Sequence, residues 1–304
     1  MRGVTVYEVG PRDGLQDEAK PIPTEVKIEL VERLTAAGMS AVEATSFVHP
    51  GWVPQLSDAQ EVMAGLRRRD GVRYPVLVPN ATGLDRALAA GVEEVAIFAS
   101  ITETFSQRNL NRSVAESLTM FAPVVERARN ADARVRGYLS MVFGDPWEGE
   151  VATERVVEVA RDMHALGVDE LSLGDTIGVA TPADVRRVLG ALVAGEVPVD
   201  SLAAHFHDTY GQALANVFVA LELGVTTIDS SVGGLGGCPF AHSATGNLAS
   251  EDLVYMLDGL GIHTGVDLDA LVEIAWWISG MLGREPTGRA ARALRRGRRL
   301  PGPG

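Results

Sequence analysis

Scarcity shapes the first reading of this 304-residue chain. It has one cysteine, Cys238, so no intrachain disulfide can form and a reducing compartment is the default. Its apolar runs are strand-sized, well short of the ~20 residues that span a bilayer. Positive charge is in deficit. The 27 Lys and Arg face 40 Asp and Glu, a net charge of −13 with a pI near 4.9, which argues against nucleic acid or an anionic membrane as the main partner. No signal- or transit-like stretch opens the sequence, since Met1-Arg2-Gly3 leads directly into a β-like run. A cytoplasmic protein is the expectation. What remains is ordinary globular composition, 46% hydrophobic and 22% charged.

Short β-branched runs alternate with helical patterns eight times along the chain. The runs are Val4–Val9, Ala41–Phe47, Tyr74–Val78, Val95–Ser100, Val135–Val142, Glu170–Asp175, Leu202–His207 and Thr226–Val232. In one intervening segment Val156, Val159, Met163 and Leu166 fall on a single helical stripe. Ser113-Val-Ala-Glu116 has capping-box spacing, and Thr181-Pro182 sets a cap residue before a proline at the first helical position. Gly38, Gly91, Gly167 and Gly224 each close a helix just before a strand. Eight βα units of about 30 residues imply parallel strands with helical crossovers. They are expected to close into a (β/α)8 TIM barrel, with no unpaired sheet edge. An open doubly wound sheet competes less well, because the first strand runs into Gly10-Pro-Arg-Asp-Gly-Leu-Gln16 rather than a phosphate-binding glycine turn. Asp267–Leu282 is expected as an additional C-terminal helix, completing a single barrel domain over 1–283. The Arg-rich stretch 284–304 is expected to be a disordered basic tail without a function.

In such a barrel the chemistry lies at the C-terminal ends of the strands. The polar residues there are Arg12-Asp13, Glu43 with Ser46, Asp175-Thr176, His205-Phe-His207, and the loop Gly233-Gly-Leu-Gly-Gly-Cys-Pro239, with Asn247 beyond it. Alternate strand residues share a side, so both imidazoles project into the barrel mouth. They resemble half of a metal site, with Asp13 as a third ligand and Asn247 adding an amide oxygen. A pair of hydrogen-bonded core histidines is the competing reading. Two imidazoles with oxygen donors suit Mg²⁺, Mn²⁺ or Fe²⁺ better than structural zinc. Arg12 and Asp13, as neighbours at a strand end, are expected to point apart and work separately, Arg12 stabilising a developing oxyanion. Glu43 lies in an apolar strand and must face the site, holding a metal-bound water or pairing with a cation. Cys238 follows four glycines in five residues, a composition suited to a lid whose thiol delivers a proton to a carbanion.

Tyr7-Glu-Val-Gly-Pro-Arg-Asp-Gly-Leu-Gln16, Glu43-Ala-Thr-Ser-Phe-Val48, Trp52-Val-Pro-Gln55, Leu173-Gly-Asp-Thr-Ile-Gly178, His205–Asn216, Gly233–Pro239 and Gly246–Leu257 together resemble the 3-hydroxy-3-methylglutaryl-CoA (HMG-CoA) lyase family. The resemblance is collinear from about residue 4 to 283. It implies a reverse Claisen cleavage of HMG-CoA to acetyl-CoA and acetoacetate, an acyl-CoA substrate and a homodimer. It implies Mg²⁺ or Mn²⁺ held at Asp13, His205, His207 and Asn247. Arg12 and Cys238 match the catalytic arginine and loop cysteine, and Glu43 and Asp175 match further active-site acids. Arg12, Gln16, Ser46, Tyr138 and Thr176 are the expected substrate contacts. His205, Asp175 and a water held by Glu43 are three candidates for the base.

The chain departs from the family pattern at Asp145 and Trp147, where many relatives carry cysteine and tyrosine, at His242-Ser243, and at Ala19-Lys20. These positions bear on the acyl pocket and the CoA grip, so a bulkier 3-substituted glutaryl-CoA is a second possible substrate. An isopropylmalate-synthase-like condensing enzyme or a hydroxy-oxo-acid aldolase is the alternative within enzymes. A biotin-dependent carboxyltransferase lacks its lysine motif here. A silent acyl-CoA- or metal-binding protein has no use for a lid thiol.

Overall fold

The computed structural model describes residues 3–237 and 246–297. Its strand segments are β1 (Thr5–Glu8), β2 (Ala41–Val42), β3 (Thr45–Ser46), β4 (Val76–Leu77), β5 (Glu94–Ser100), β6 (Arg134–Ser140), β7 (Glu170–Asp175), β8 (Leu202–Phe206) and β9 (Thr227–Ser230). Every pairing is parallel, and the order β2-β1-β9-β8-β7-β6-β5-β4-β3 follows the chain around a ring. The second expected strand, Ala41–Phe47, is thus interrupted at Glu43-Ala44. Its first half pairs with β1 and its second half with β4. Between them the Glu43 amide donates to Glu8 O (2.8 Å) and the Ala44 amide to Pro75 O (2.9 Å), so this one strand closes the TIM barrel.

The connecting helices are α1 (Thr24–Ala36), α2 (Ala59–Gly65), α3 (Ala81–Ala89), α4 (Glu103–Leu110), α5 (Val114–Asn130), α6 (Thr153–Ala165), α7 (Pro182–Ala194), α8 (Ala213–Glu222) and α9 (Ser250–Gly259), followed by α10 (Leu268–Leu282) and α11 (Arg289–Gly297). Ser113 forms the expected capping box with Glu116, and Thr181, expected as a cap, also forms one, with Asp184 as its reciprocal partner. Val156, Val159 and Met163 bury their stripe against the sheet. None of the described helices is long and apolar enough to cross a membrane.

Strand alternation divides the molecule into two chemistries. Val6, Val95, Ile97, Val135, Leu171, Ala204 and Ile228 point outward and build the main core against the helices. Residues of the opposite parity line the barrel interior, where buried charge sits beside small apolar clusters of Tyr7 with Ala41 and of Leu77, Ala96 and Tyr138. Glu94, Arg136, Glu170, Asp229 and Glu43 are all at most 5% exposed there.

The terminal stretch differs from the expected unfolded tail over 289–297. Its helix α11 forms because Asp252 on α9 accepts the Arg289 and Ala290 amides (3.0 and 2.6 Å), supplying partners for donors that a helix start leaves open. The Trp276 indole donates to Ala291 O (3.0 Å), and Ala291 is buried in the main core. Replacing Asp252 by Ala is expected to loosen α11 by about 1–2 kcal/mol. Hydrogen exchange should read this as faster exchange confined to 289–295.

Candidate active site

The site is a cavity of about 370 Å³ at the C-terminal ends of the strands. Arg12 and Asp13 enter it from a wide turn, Gly10–Gly14, in which the Asp13 and Gly14 amides both donate to Val9 O (2.8 and 3.1 Å). That turn corrects the expectation that the pair points apart. β1 ends at Glu8, and the turn brings Arg12 Nη1 to Asp13 Oδ1 at 2.7 Å. On its other edge the guanidinium meets Glu43 Oε2 through Nε (2.9 Å) and Nη2 (2.8 Å), while the Tyr138 hydroxyl donates to the same oxygen (3.0 Å). Glu43 therefore takes the cation-pairing role, and its Oε1 has no hydrogen-bond partner among the described residues. Burial pushes the Glu43 carboxyl up, with Arg12 pulling it back. A guanidinium has five N–H donors. Nε and Nη1 donate hydrogen bonds to Glu43 and Asp13, Nη2 rests against Glu43 as an ion pair, and Arg12 itself lines the cavity, so N–H groups remain for a ligand.

His205 and His207 flank Asp13. Their rings are 5.3 Å apart, and one ligand atom from each of the three residues lies within 4.8 Å of the others. Burial raises the Asp13 carboxyl, yet Arg12, the two imidazoles and the Asn247 amide outweigh it and hold the group at about 2. Burial, reinforced by His205, lowers His207 to about 4, so it is neutral at pH 7. Burial also lowers His205, but Asp229, which accepts a hydrogen bond from the imidazole and adds its negative charge, raises it overall, with Asp13 helping. Asn247 is bridged by backbone to His207 and donates through Nδ2 to Asp13 Oδ2 (2.8 Å) and Leu235 O (3.0 Å). Gly236, at φ 107°, makes room for that amide, since a Cβ there would come within 2.5 Å of Nδ2. Asn247 Oδ1 and His207 Nδ1 are buried without hydrogen-bond partners among the described residues. A carboxylate, two imidazoles and an orphaned amide oxygen fit a divalent cation with open positions.

Gln16, Ser46, Tyr138 and Thr176 line the same cavity, as expected of substrate contacts. The Thr176 hydroxyl also accepts the amide of Met141 (2.9 Å), which helps hold that residue at φ 61° just after β6. Asp175 is placed differently. Its oxygens accept the Val179 and Ala180 amides (2.9 and 3.1 Å), burial raises it to about 7, and it is absent from the cavity lining. Its carboxylate holds the loop after β7 and also feels the charge of His205. Cys238, His242 and Ser243 lie outside the described residues.

Several contributing residues are not among the expected site residues. Trp52, Phe98, Phe105 and Leu110 form much of the apolar wall, and the types of the last three alone give no signal. Asp145 accepts from Thr102 Oγ1 (2.7 Å) and from the Trp147 and Glu148 amides (2.7 and 2.8 Å), tying the loop after β6 to the one after β5. Glu8 and Glu251 seat the start of the glycine loop, accepting the Val232 amide (3.0 Å) and the Gly233 amide (2.9 Å). A fully buried acid in an otherwise apolar run is the signal that marks Glu8.

The model of the HMGL-like family matches residues 3–278. The chain belongs to the HMGL-like family. It is 54% identical over 291 residues, 96% of this chain and 97% of the relative, to the 3-hydroxy-3-isohexenylglutaryl-CoA/hydroxy-methylglutaryl-CoA lyase of Pseudomonas aeruginosa. The crystal structure of a hydroxymethylglutaryl-CoA lyase from Pseudomonas aeruginosa matches with a TM-score of 0.94 and 53% identity, covering 97% of this chain and 98% of that one. An HMG-CoA lyase from Acinetobacter baumannii, solved in complex with coenzyme A and 3-methylmalate, matches with a TM-score of 0.93 at 37% identity, covering 99% of this chain and 98% of that one. Membership in the HMGL-like family agrees with the fold and with the resemblance carried by the motifs.

Burial raises Glu8 to about 7 and Glu251 to about 8, against an ordinary value of 4.5. Between those limits the folded protein binds protons that the unfolded chain releases. Their stabilising contribution is complete below about pH 4.5 and is lost as pH rises through 7 to 8. Urea unfolding of the metal-free protein should show stability falling across that window. Glu251→Gln should flatten part of the fall, and an unchanged slope would contradict the assignment.

Proposed function

We propose that this protein cleaves HMG-CoA to acetyl-CoA and acetoacetate, using Mg²⁺ or Mn²⁺ held by Asp13, His205, His207 and Asn247. The observation that carries the reading is the convergence of Asp13, His205 and His207 within 4.8 Å beside the buried guanidinium of Arg12, on one cavity. A divalent ion bound there supplies Lewis acidity to the substrate's tertiary hydroxyl and a counter-charge to its carboxylate. The complex of the Acinetobacter relative with coenzyme A supports an acyl-CoA as the ligand. A homodimer in the cytoplasm is the proposed working form, a reading that rests on the family resemblance alone.

The bond that breaks joins the hydroxyl-bearing carbon to the methylene beside the thioester. The hydroxyl proton leaves on the imidazole face of the cavity, its oxygen becomes the ketone of acetoacetate, and the broken bond's electron pair forms the enolate of acetyl-CoA. The uncommitted N–H groups of Arg12 are suited to that enolate oxygen, where charge appears only as the bond breaks. Glu43 and Tyr138 keep the guanidinium from turning away. Gln16, Ser46 and Thr176 offer hydrogen bonds to the acyl chain from the wall. On sequence grounds, Cys238 returns a proton to the enolate carbon. Asp175 acts on the loop that carries Thr176.

A bulkier 3-substituent is a second substrate reading. The apolar wall of Leu77, Phe98, Phe105 and Leu110 favours it, as does the isohexenylglutaryl-CoA activity named for the Pseudomonas relative.

Incubation with HMG-CoA after chelation, with and without added Mg²⁺, tests the proposal. Equimolar acetyl-CoA and acetoacetate should appear only with metal; no cleavage by folded, metal-loaded protein would overturn it. Arg12→Gln should lower kcat by about 10²–10³-fold while Mn²⁺ affinity stays within a few-fold of wild type. A collapse of metal binding would contradict the assigned role.

A further inference from the structure

Behind His205 the barrel interior carries a charge chain that the reaction as described does not use. His205 Nδ1 lies 3.2 Å from Asp229 Oδ2, which also accepts the Ser172 hydroxyl (2.8 Å). The other oxygen of Asp229 accepts Arg136 Nη2 at 2.6 Å. Arg136 is fully buried, packed face-on against Tyr7 with its guanidinium carbon 3.7 Å from the ring centroid, and its Nε lies 3.2 Å from Glu170 Oε2. Two fully buried opposite charges are costly to bring out of water and lock only when their geometry is satisfied. Here the geometry presents one aligned acceptor to one imidazole nitrogen.

We propose that Asp229, held by Arg136, is a positioning residue that fixes the tautomer and orientation of His205, so that Nε2 presents its lone pair to the cation. The inference rests on the metal-site reading above. An ionised carboxylate only accepts, so it requires the proton on Nδ1. Arg136 donates strongly to one carboxylate oxygen and thereby fixes which oxygen faces the imidazole. The consequence for Asp229→Asn follows from donor bookkeeping. Arg136 demands the amide oxygen, which turns the amide NH₂ toward His205. Nδ1 must then become the acceptor, the proton moves to Nε2, and the lone pair that should meet the cation is lost. Arg136, a fully buried cation in β6, and Asp229, paired in register with His205, form a unit that no short motif reveals.

Mn²⁺ titration of the apoprotein, followed by electron paramagnetic resonance, tests the proposal together with imidazole ¹⁵N NMR of the metal-free protein at alkaline pH. Wild type should show His205 protonated at Nδ1. Asp229→Asn should move the proton to Nε2 and weaken Mn²⁺ binding about 10–100-fold. Glu170→Gln removes a charge from the same cluster without touching His205, so it should cost stability and leave Mn²⁺ affinity within twofold. Equal Mn²⁺ losses in both variants would reduce the cluster to a structural role and overturn the proposal. So would an Nε2–H tautomer in wild-type protein, a result that needs no variant to fold. A wild type that binds no Mn²⁺ would overturn the metal site itself, a failure distinct from normal wild-type binding with an Asp229→Asn variant that binds equally well.

Discussion

The site is organised around a buried cation, Arg12, that the barrel mouth accepts only because two carboxylates meet it. A guanidinium 6% exposed carries a desolvation cost of several kcal/mol unless its charge is answered. Glu43 answers on one edge and Asp13 on the other. Each local irregularity nearby serves that arrangement. The wide turn after β1 brings Arg12 and Asp13 to the same side, and the break between β2 and β3 falls at Glu43. With its position set before substrate arrives, the guanidinium has little reorganisation left when an enolate forms.

The same economy runs through the molecule. Apolar burial is concentrated between strands and helices, where it supports stability, while the barrel interior is filled with paired charge reaching from Glu94 and Glu170 up to Glu43 and His205. A polar interior is expensive, but it holds titratable groups at set positions with few rotamers to explore. Glu8 and Glu251 extend the pattern to the root of the glycine loop, each gripping a backbone amide there.

Much of this was legible from the chain. β-branched runs alternating with helical stripes, the caps at Ser113 and Thr181, and the His205-x-His207 pair specify the barrel and the imidazole face, because each depends on local geometry alone. The mouth was misread where geometry is not local. Arg12 and Asp13 converge because a five-residue turn, not a strand, carries them. Asp175 takes on a second task, holding its own loop, because two amides, four and five residues on, need its oxygens. The helix at 289–297 depends on Asp252, some forty residues upstream, and composition alone cannot announce such a partner. Arg136 and Asp229 stayed silent because they are 93 residues apart and matter only as a pair.

The most direct test of this account is a double-mutant cycle on kcat/KM with Arg12→Gln, Glu43→Gln and both together. If Glu43 acts by holding Arg12, the double variant should be about as slow as Arg12→Gln alone, with a coupling of about 1–3 kcal/mol. Losses that simply multiply would mean the two residues act independently, and the account of the site would be wrong at its centre.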